Sequence, residues 1–344
     1  GFAQARLEYA ALLADRGQRR DALAQLNHLS RSVSDPTSRE TLDNVIDTIE
    51  AQGRPRFQFF AALIEDTNVN SGTDATTYTL FGLPFAVAPA ARRTEARGLR
   101  FGGTMTVDRP LGPGALGYAA LRLTFEDFEG SRFDRQIADI RLGLRRDVAG
   151  GRGSIGVELL GERLLRETGS DEAATGLRAY GRWALSDRTL LSLDATARNR
   201  DYDLVPGLVR QERSATLRAD HLLARPGWAV WGAVGIIEEE ADATPSTGFD
   251  GHLLELGVTG RFDFGLSASL GVKRTWRDFD AIFPGQPVPR ADKATEVSLT
   301  LWSPKVSVRG LQPRMGLIWT DQASNVTLHD FHRLQGSLFL TRSF

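Results

Sequence analysis

The 344-residue chain has no cysteine, and only three of its 42 basic residues are lysines: Lys273, Lys293 and Lys305. Without cysteine there are no disulfides, no thiolate metal sites and no thiol nucleophile. The absence fits an extracytoplasmic protein, and the arginine bias reads as genomic composition. Long apolar runs are missing too. No stretch approaches the roughly 18 consecutive apolar residues of a transmembrane helix, which excludes a helical membrane protein. Neither sign of charge dominates, with 42 basic against 43 acidic residues, so nucleic acid is not an expected partner. Gly1 falls inside a helical pattern with no basic segment or apolar stretch before it, so a secretory signal, if there was one, is expected to have been removed. What remains, 41% hydrophobic and 25% charged residues, has the average look of a globular chain. It is also what a membrane barrel shows, because its strands need only about 9 to 11 residues with every second side chain apolar.

Apolar residues recur at helical spacing over residues 4–29: Leu7, Ala10, Ala11 and Ala14, a break at Gly17, then Ala22, Leu23, Leu26 and Leu29. The pattern predicts a helical hairpin. With Gly17 at the turn, Ala22 as the small packing residue, Leu26 as the large one and Pro36 near the exit, it resembles a single tetratricopeptide repeat; an ordinary helical hairpin is the alternative. A third helix over 39–51, carrying Leu42, Val45, Ile46 and Ile49, would cap the pair. One repeat cannot bury its own face, so a longer array is expected ahead of Gly1. Residues 1–53 are therefore expected as a helical segment, and 54–344 as a second domain.

After Gly53 the period changes from 3.6 to 2 and stays there. Leu121, Leu123 and Phe125 alternate with Arg122, Thr124 and Glu126; Leu191, Leu193, Ala195 and Ala197 alternate with Ser192, Asp194, Thr196 and Arg198. One face of each strand is apolar and the other polar. A β-sandwich or a membrane barrel could use that pattern. Strands of about 10 to 16 residues, an apolar face rich in Gly and Ala, and connections alternating in length favour the barrel. Fourteen antiparallel strands are predicted near 55–65, 95–109, 115–128, 133–147, 153–166, 172–185, 188–200, 208–223, 228–239, 249–263, 266–278, 292–303, 307–320 and 331–344. Tight turns at 110–114, 149–153, 186–187, 224–227, 264–265 and 304–305 alternate with longer or polar connections at 66–94, 201–207, 240–248, 279–291 and 321–330. An even strand count returns both termini to the periplasmic side of a bacterial outer membrane. Trp183, Trp228 and Trp302, near strand ends, suit an aromatic belt at the lipid interface. The last strand stops at Phe344, an ending that resembles the signal read by the barrel assembly machinery.

Asp66, Asn68 and Asn70 match the first three ligand positions of a calcium loop, but Ser71 replaces the required Gly and Thr77 the bidentate Glu. A polar loop with side-chain to backbone bonds fits better, and no metal is expected. The same long connection carries the apolar run Leu80-Phe81-Gly82-Leu83-Pro84-Phe85. Asp66, Asn68, Asn70, Phe81, Leu83, Pro84 and Phe85 are thus candidates for a plug or a client-contacting loop; the apolar run could also insert in the outer leaflet or extend a neighbouring strand. His28, His221, His252, His329 and His332 show no metal spacing beyond the weak pair 329/332, and neither Gly-x-Ser-x-Gly nor a P-loop is present, so neither an enzyme nor a cofactor is expected. The inward charges carry both signs: Arg122, Arg141, Glu158, Glu162, Arg178, Arg182, Asp194, Arg198, Arg218, Asp220 and Arg314. They predict a hydrated, locally paired lumen, a channel or translocation path. Few aromatics are expected to face inward, Tyr180 being one.

A helical-repeat tail leading into a barrel that opens with Asp66-Thr67-Asn68-Val69-Asn70 and continues with Leu80-Phe81-Gly82-Leu83-Pro84-Phe85 resembles the surface lipoprotein assembly modifier family. The likeness covers the architecture of the whole chain, with the motif match confined to the early barrel and Phe344. It implies a fourteen-stranded outer-membrane barrel behind periplasmic tetratricopeptide repeats, and a translocon moving lipoproteins or related secreted clients to the cell surface. The implied partners are that client, outer-membrane lipid and the barrel assembly machinery. A passive porin or a polysaccharide-export barrel is the alternative.

Overall fold

The computed structural model describes residues 9, 10, 13, 19–32, 42, 46, 53–204, 209–241, 244–303, 305–307 and 310–343. In the N-terminal part, helix α1 (Arg19–Ser32) places Leu26 and Leu29 in one buried cluster with Ala10, Leu42 and Ile46, and Leu23 packs against it. The residues expected to lie on three helical faces are thus in contact. Val45, Ile49 and Phe344 lie outside the described residues.

From Arg56 onward the chain forms β1 (Arg56–Asp66), β2 (Thr77–Leu80), β3 (Leu83–Ala86), β4 (Ala96–Gly112), β5 (Ala115–Phe128), β6 (Arg135–Val148), β7 (Gly153–Arg166) and β8 (Glu172–Ser186). It continues with β9 (Thr189–Tyr202), β10 (Val209–Leu222), β11 (Trp228–Ala241), β12 (Phe249–Arg261), β13 (Ser267–Ile282), β14 (Pro289–Trp302), β15 (Gln312–Ser324) and β16 (Phe331–Ser343). β2 and β3 form a separate small hairpin. The other fourteen close into one antiparallel barrel in which each strand pairs with its sequence neighbour and β1 pairs with both β4 and β16. Closure leaves no free edge, so the strands pair on both sides within the wall, which is the condition for a sheet in lipid.

Residues in direct register share a face, and following the register round the barrel returns to its start without a slip of face. Arg122 lies opposite Asp139, Asp139 opposite Glu162, Glu158 opposite Arg178, and Tyr180 opposite Asp194. This polar face is the concave one, because its side chains reach between strands that are not neighbours: Tyr118 on β5 bonds Glu158 on β7, and Arg200 on β9 bonds Glu162 on β7. The other face carries exposed Leu99, Leu142, Leu159, Leu177, Leu193 and Leu256. Apolar side chains outside and charges inside reverse the arrangement of a water-facing sandwich.

The two ends of the barrel differ less than the connection lengths in the sequence suggested. One end has the excursion 67–95 and connections 129–134, 167–171, 203–208, 242–248, 283–288 and 325–330; the other has 113–114, 149–152, 187–188, 223–227, 262–266 and 303–311. The turn expected at 304–305 is instead the longest connection of the tight-turn end, since β14 stops at Trp302 and β15 starts at Gln312. Extra pairing at the other end, Asp278 with Ala291 and Ile282 with Pro289, shortens the connection expected over 279–291. The excursion 67–95 is what sets one end apart.

Candidate functional site

All eleven charged residues singled out from the sequence stand on the inward face, and the structure joins seven of them into networks. Arg178 donates from Nε to Asp194 (2.6 Å) and from Nη1 to Glu158 (2.9 Å). Arg198 contacts Glu162 (3.9 Å) and a residue the pattern had not marked, Glu212 (2.5 Å). Arg218 pairs with Asp220 two residues along its own strand, at 2.7 Å. Arg141, Glu162, Arg178 and Arg198 also line a lumen cavity of about 300 Å³. Arg122, Arg141, Arg182 and Arg314 are exposed to the lumen and form no ion pair among the described residues.

Sequence reasoning missed the centre of the network. Arg200 binds Glu162 (3.1 Å), Glu172 (2.6 Å) and Glu212 (2.8 Å) together, and Glu172 also accepts from Arg166. These residues sit at strand ends, where alternation gives no cue. Inward aromatics were undercounted as well: Phe60, Tyr118, Tyr202, Trp231, Phe249, Phe279 and Phe339 join Tyr180 on that face. Tyr118 and Tyr180 approach each other at 3.1 Å, and Tyr118 donates to Glu158. Their rings lie flat over Gly143 and Gly156, where an added Cβ would come within 2.2 and 2.3 Å of the ring carbon bearing the hydroxyl. Several faces are covered by guanidinium groups, Arg218 over Trp231 at 4.3 Å and Arg290 over Phe279 at 4.2 Å. Of the three tryptophans assigned to a belt, Trp183 and Trp228 face outward at the tight-turn end, whereas Trp302 faces the lumen.

The motif opening the long excursion is a clasp. Asp66, the last residue of β1, has a fully buried side chain; its carboxylate accepts from Arg333 Nε at 3.0 Å, from Arg333 Nη2, from Gln335 Nε2 at 3.0 Å and from the Asn68 backbone N–H at 2.9 Å. Asn68, also fully buried, donates to the carbonyls of Gly72 (2.8 Å) and His332 (3.1 Å) and accepts from Gly72 N–H (2.8 Å). Asn70 donates to Ala90 and Arg92 carbonyls and accepts from Thr94 N–H (3.0 Å). The Asx oxygens that resembled calcium ligands are therefore spent on backbone and guanidinium donors. Since Arg333, Gln335 and His332 belong to β16, the clasp fastens the β1–β16 seam at the excursion end. Val69 packs with Phe133 and Phe339 onto the inward side chains of Ala62, Ile64 and Phe128. This stretch lines the lumen wall at the mouth.

The apolar run of the excursion forms the β2–β3 hairpin. Phe81 and Gly82 both have positive φ at its turn (51° and 76°), the geometry of a two-residue hairpin loop. Phe81 (76% exposed) and Leu83 (61%) project from it, with Phe85 beside Tyr78. The hairpin is held to connection 283–288 by Phe81 N–H on the Gly285 carbonyl (2.9 Å) and Gln286 Nε2 on the Thr79 carbonyl (2.7 Å). His221, His252 and His332 all face outward; His332 meets Asp74 of the excursion at 2.8 Å. His329, in the connection before β16, is held neutral: burial, and secondarily Arg290, push its pKa down to about 4.

Among the described residues no helix is long and apolar enough to cross a membrane. A closed barrel with an apolar exterior and an ionised lumen is a transmembrane β-barrel of the outer-membrane class. The chain belongs to the surface lipoprotein assembly modifier family, whose profile matches residues 56–344. Fold and family are those of an outer-membrane transport barrel and not of an enzyme. No curated protein matches the chain. Among solved structures it is similar to a Pseudomonas aeruginosa FadL homologue (11% identity, TM-score 0.39, covering 84% of this chain and 89% of that one) and to the outer-membrane channel DcaP of Acinetobacter baumannii (9%, 0.47, 85% and 96%). A bacterial polysaccharide outer membrane secretin is alike at 12% identity and TM-score 0.46, covering 84% and 98%. Likenesses at this level carry no functional argument.

Proposed function

We propose that this chain is an outer-membrane translocon that delivers lipoproteins, or related secreted proteins, from the periplasm to the cell surface, with both barrel termini on the periplasmic side. The family match over the entire barrel carries the reading. Client entry is from the tight-turn end, and the excursion 67–95, with Asp66, Asn68 and Asn70 as its anchors and Phe81, Leu83, Pro84 and Phe85 as its apolar hairpin, meets the client on the outside. The candidate lumen residues act as a wetted, mostly paired wall that a polypeptide can pass without meeting one dominant sign of charge. The helical segment, read as the end of a repeat array over 1–53, presents the client.

The route runs through the lumen and along the β1–β16 seam. Two features support the seam: β1, at 11 residues, is the shortest strand of the barrel, and an outer-face groove of about 1150 Å³ lies across β15, β16, β1, β4 and β5, walled by Leu63, Leu99, Met315, Leu317 and Leu338. Deleting the gene in its native host and shaving intact cells with protease tests delivery: a surface lipoprotein becomes protected in the deletion strain and accessible again on complementation. Unchanged surface exposure of every lipoprotein overturns the reading in favour of a porin or a polysaccharide exporter.

A further inference from the structure

Inward charges are distributed unevenly along the barrel axis. Toward the excursion end, Arg100, Arg135, Arg200, Arg210, Arg290 and Arg333 each lie within ion-pair distance of a carboxylate. At the tight-turn end each of these acids has one arginine within ion-pair distance: Asp108 with Arg56 (3.0 Å), Asp147 with Arg145 (3.7 Å), Asp220 with Arg218 (2.7 Å) and Asp263 with Arg225 (3.8 Å). Three inward arginines are left over there. Arg182, Arg261 and Arg314 are exposed and have no carboxylate partner among the described residues. Arg188 and Lys305, on turns of the same end, add to the excess, against Asp187 alone. The register aligns Arg261, Ser267, Trp302 and Arg314 across four neighbouring strands, so an inward indole stands between two free guanidinium groups.

We propose that this end of the lumen is a binding vestibule for an acidic, extended stretch of polypeptide. The identity of the ligand as polypeptide rests on the protein-delivery reading above; the charge preference rests on the arginines alone. Unpaired guanidinium groups around an aqueous opening with low-dielectric walls focus a positive potential into it. Each presents a planar donor fork to a carboxylate, which a lysine cannot match. Trp302 supplies an apolar surface for the side chains between the acids. Further in, Arg122, Arg141 and Arg277 also lack an ion pair among the described residues, but the inward acids Asp139, Glu255 and Glu296 are unpaired there as well, so an acidic segment is gathered at the entrance and released into a lumen of balanced charge. Anionic lipid headgroups around the barrel would instead engage outward arginines of the same end, such as Arg109 and Arg146.

The test uses the purified full chain in detergent with fluorescently labelled polyglutamate, and polylysine of the same length, as probes. Polyglutamate is expected to bind with an affinity that falls as salt rises, and polylysine to show no binding. Replacing Arg182→Gln, Arg261→Gln and Arg314→Gln together is expected to weaken polyglutamate by roughly tenfold. The pair Arg109→Gln and Arg146→Gln is expected to leave it unchanged. Heat-modifiable gel migration verifies that both variants are folded barrels. Undiminished binding by the triple variant, equal binding of polylysine, or full competition by free glutamate at the same residue concentration overturns the proposal, the last by reducing the vestibule to a small-anion site. Binding to the purified barrel is independent of surface display in cells, so either result can fail without the other.

Discussion

Asp66 concentrates more of the structure's polar contacts than any other residue of the motif: one fully buried carboxylate serves Arg333, Gln335 and the turn at Asn68. Removing one member of a fully buried charged pair leaves the other unsatisfied and costs about 3–5 kcal/mol; Arg333 is about a quarter exposed, so the loss here is expected to fall below that. Asp66→Ala is accordingly expected to lower the temperature at which the barrel loses its compact gel mobility, and Asp66→Asn to do so less. An unchanged transition in Asp66→Ala would show that Arg333 finds another partner. At Gly156, substitution by Ala is expected to push the Tyr180 ring aside and part it from Tyr118, seen as a change in tyrosine fluorescence of the folded barrel. His329 carries a pH effect whose sign is set by its lowered pKa. Below the ordinary histidine value of 6.5 and down to about 4, the unfolded connection binds a proton that the folded one does not. Stability of connection 325–330 is therefore full above that window and falls as pH drops through it. Amide exchange there is expected to quicken, relative to intrinsic rates, between ~pH 7 and ~pH 5, and His329→Phe to abolish the pH dependence. At this scale the sequence was partly legible. The Asp-x-Asn-x-Asn spacing announces side chains bonding nearby backbone, yet the partner Arg333 lies across the seam and local spacing contains nothing of it. The Tyr118–Glu158 contact likewise needs the register of three strands before it can be seen.

Elements were more readable than residues. Alternation of apolar with polar or charged residues, as over 191–198, leaves one facing per strand, because a slip of one residue would put charges into lipid. Strand ends were less legible: Arg200 and Glu172 lie where pairing is decided by the neighbour, and the 303–311 connection was misread because Pro304-Lys305 mimics a tight turn. The seam between β1 and β16 makes an element-scale prediction that the cysteine-free chain suits well. Phe60 and Thr341 are register partners toward the unclasped end. A disulfide between cysteines placed at these positions is expected to block client display, with reductant restoring it. Full display with the disulfide intact would remove the seam from the route.

For the whole molecule, the sequence disclosed a barrel because binary patterning fixes what each face meets, lipid or water. It did not disclose how the lumen's charges pair, since that depends on the concave side where distant strands meet. The structure adds an axial order: a clasped mouth at one end, where most inward arginines are ion-paired, and three unpaired inward arginines at the other. A barrel lined in this way and entered by part of its own excursion is expected to show little steady conductance in a planar bilayer, and large, ohmic open-channel currents would indicate a passive pore. The most direct measurement of the central claim is protease shaving of intact native cells, followed by identification of the released lipoproteins, with and without this gene. The account predicts that at least one lipoprotein is shaved only when the gene is present, while total lipoprotein levels stay the same. An identical set of shaved lipoproteins in both strains would contradict it.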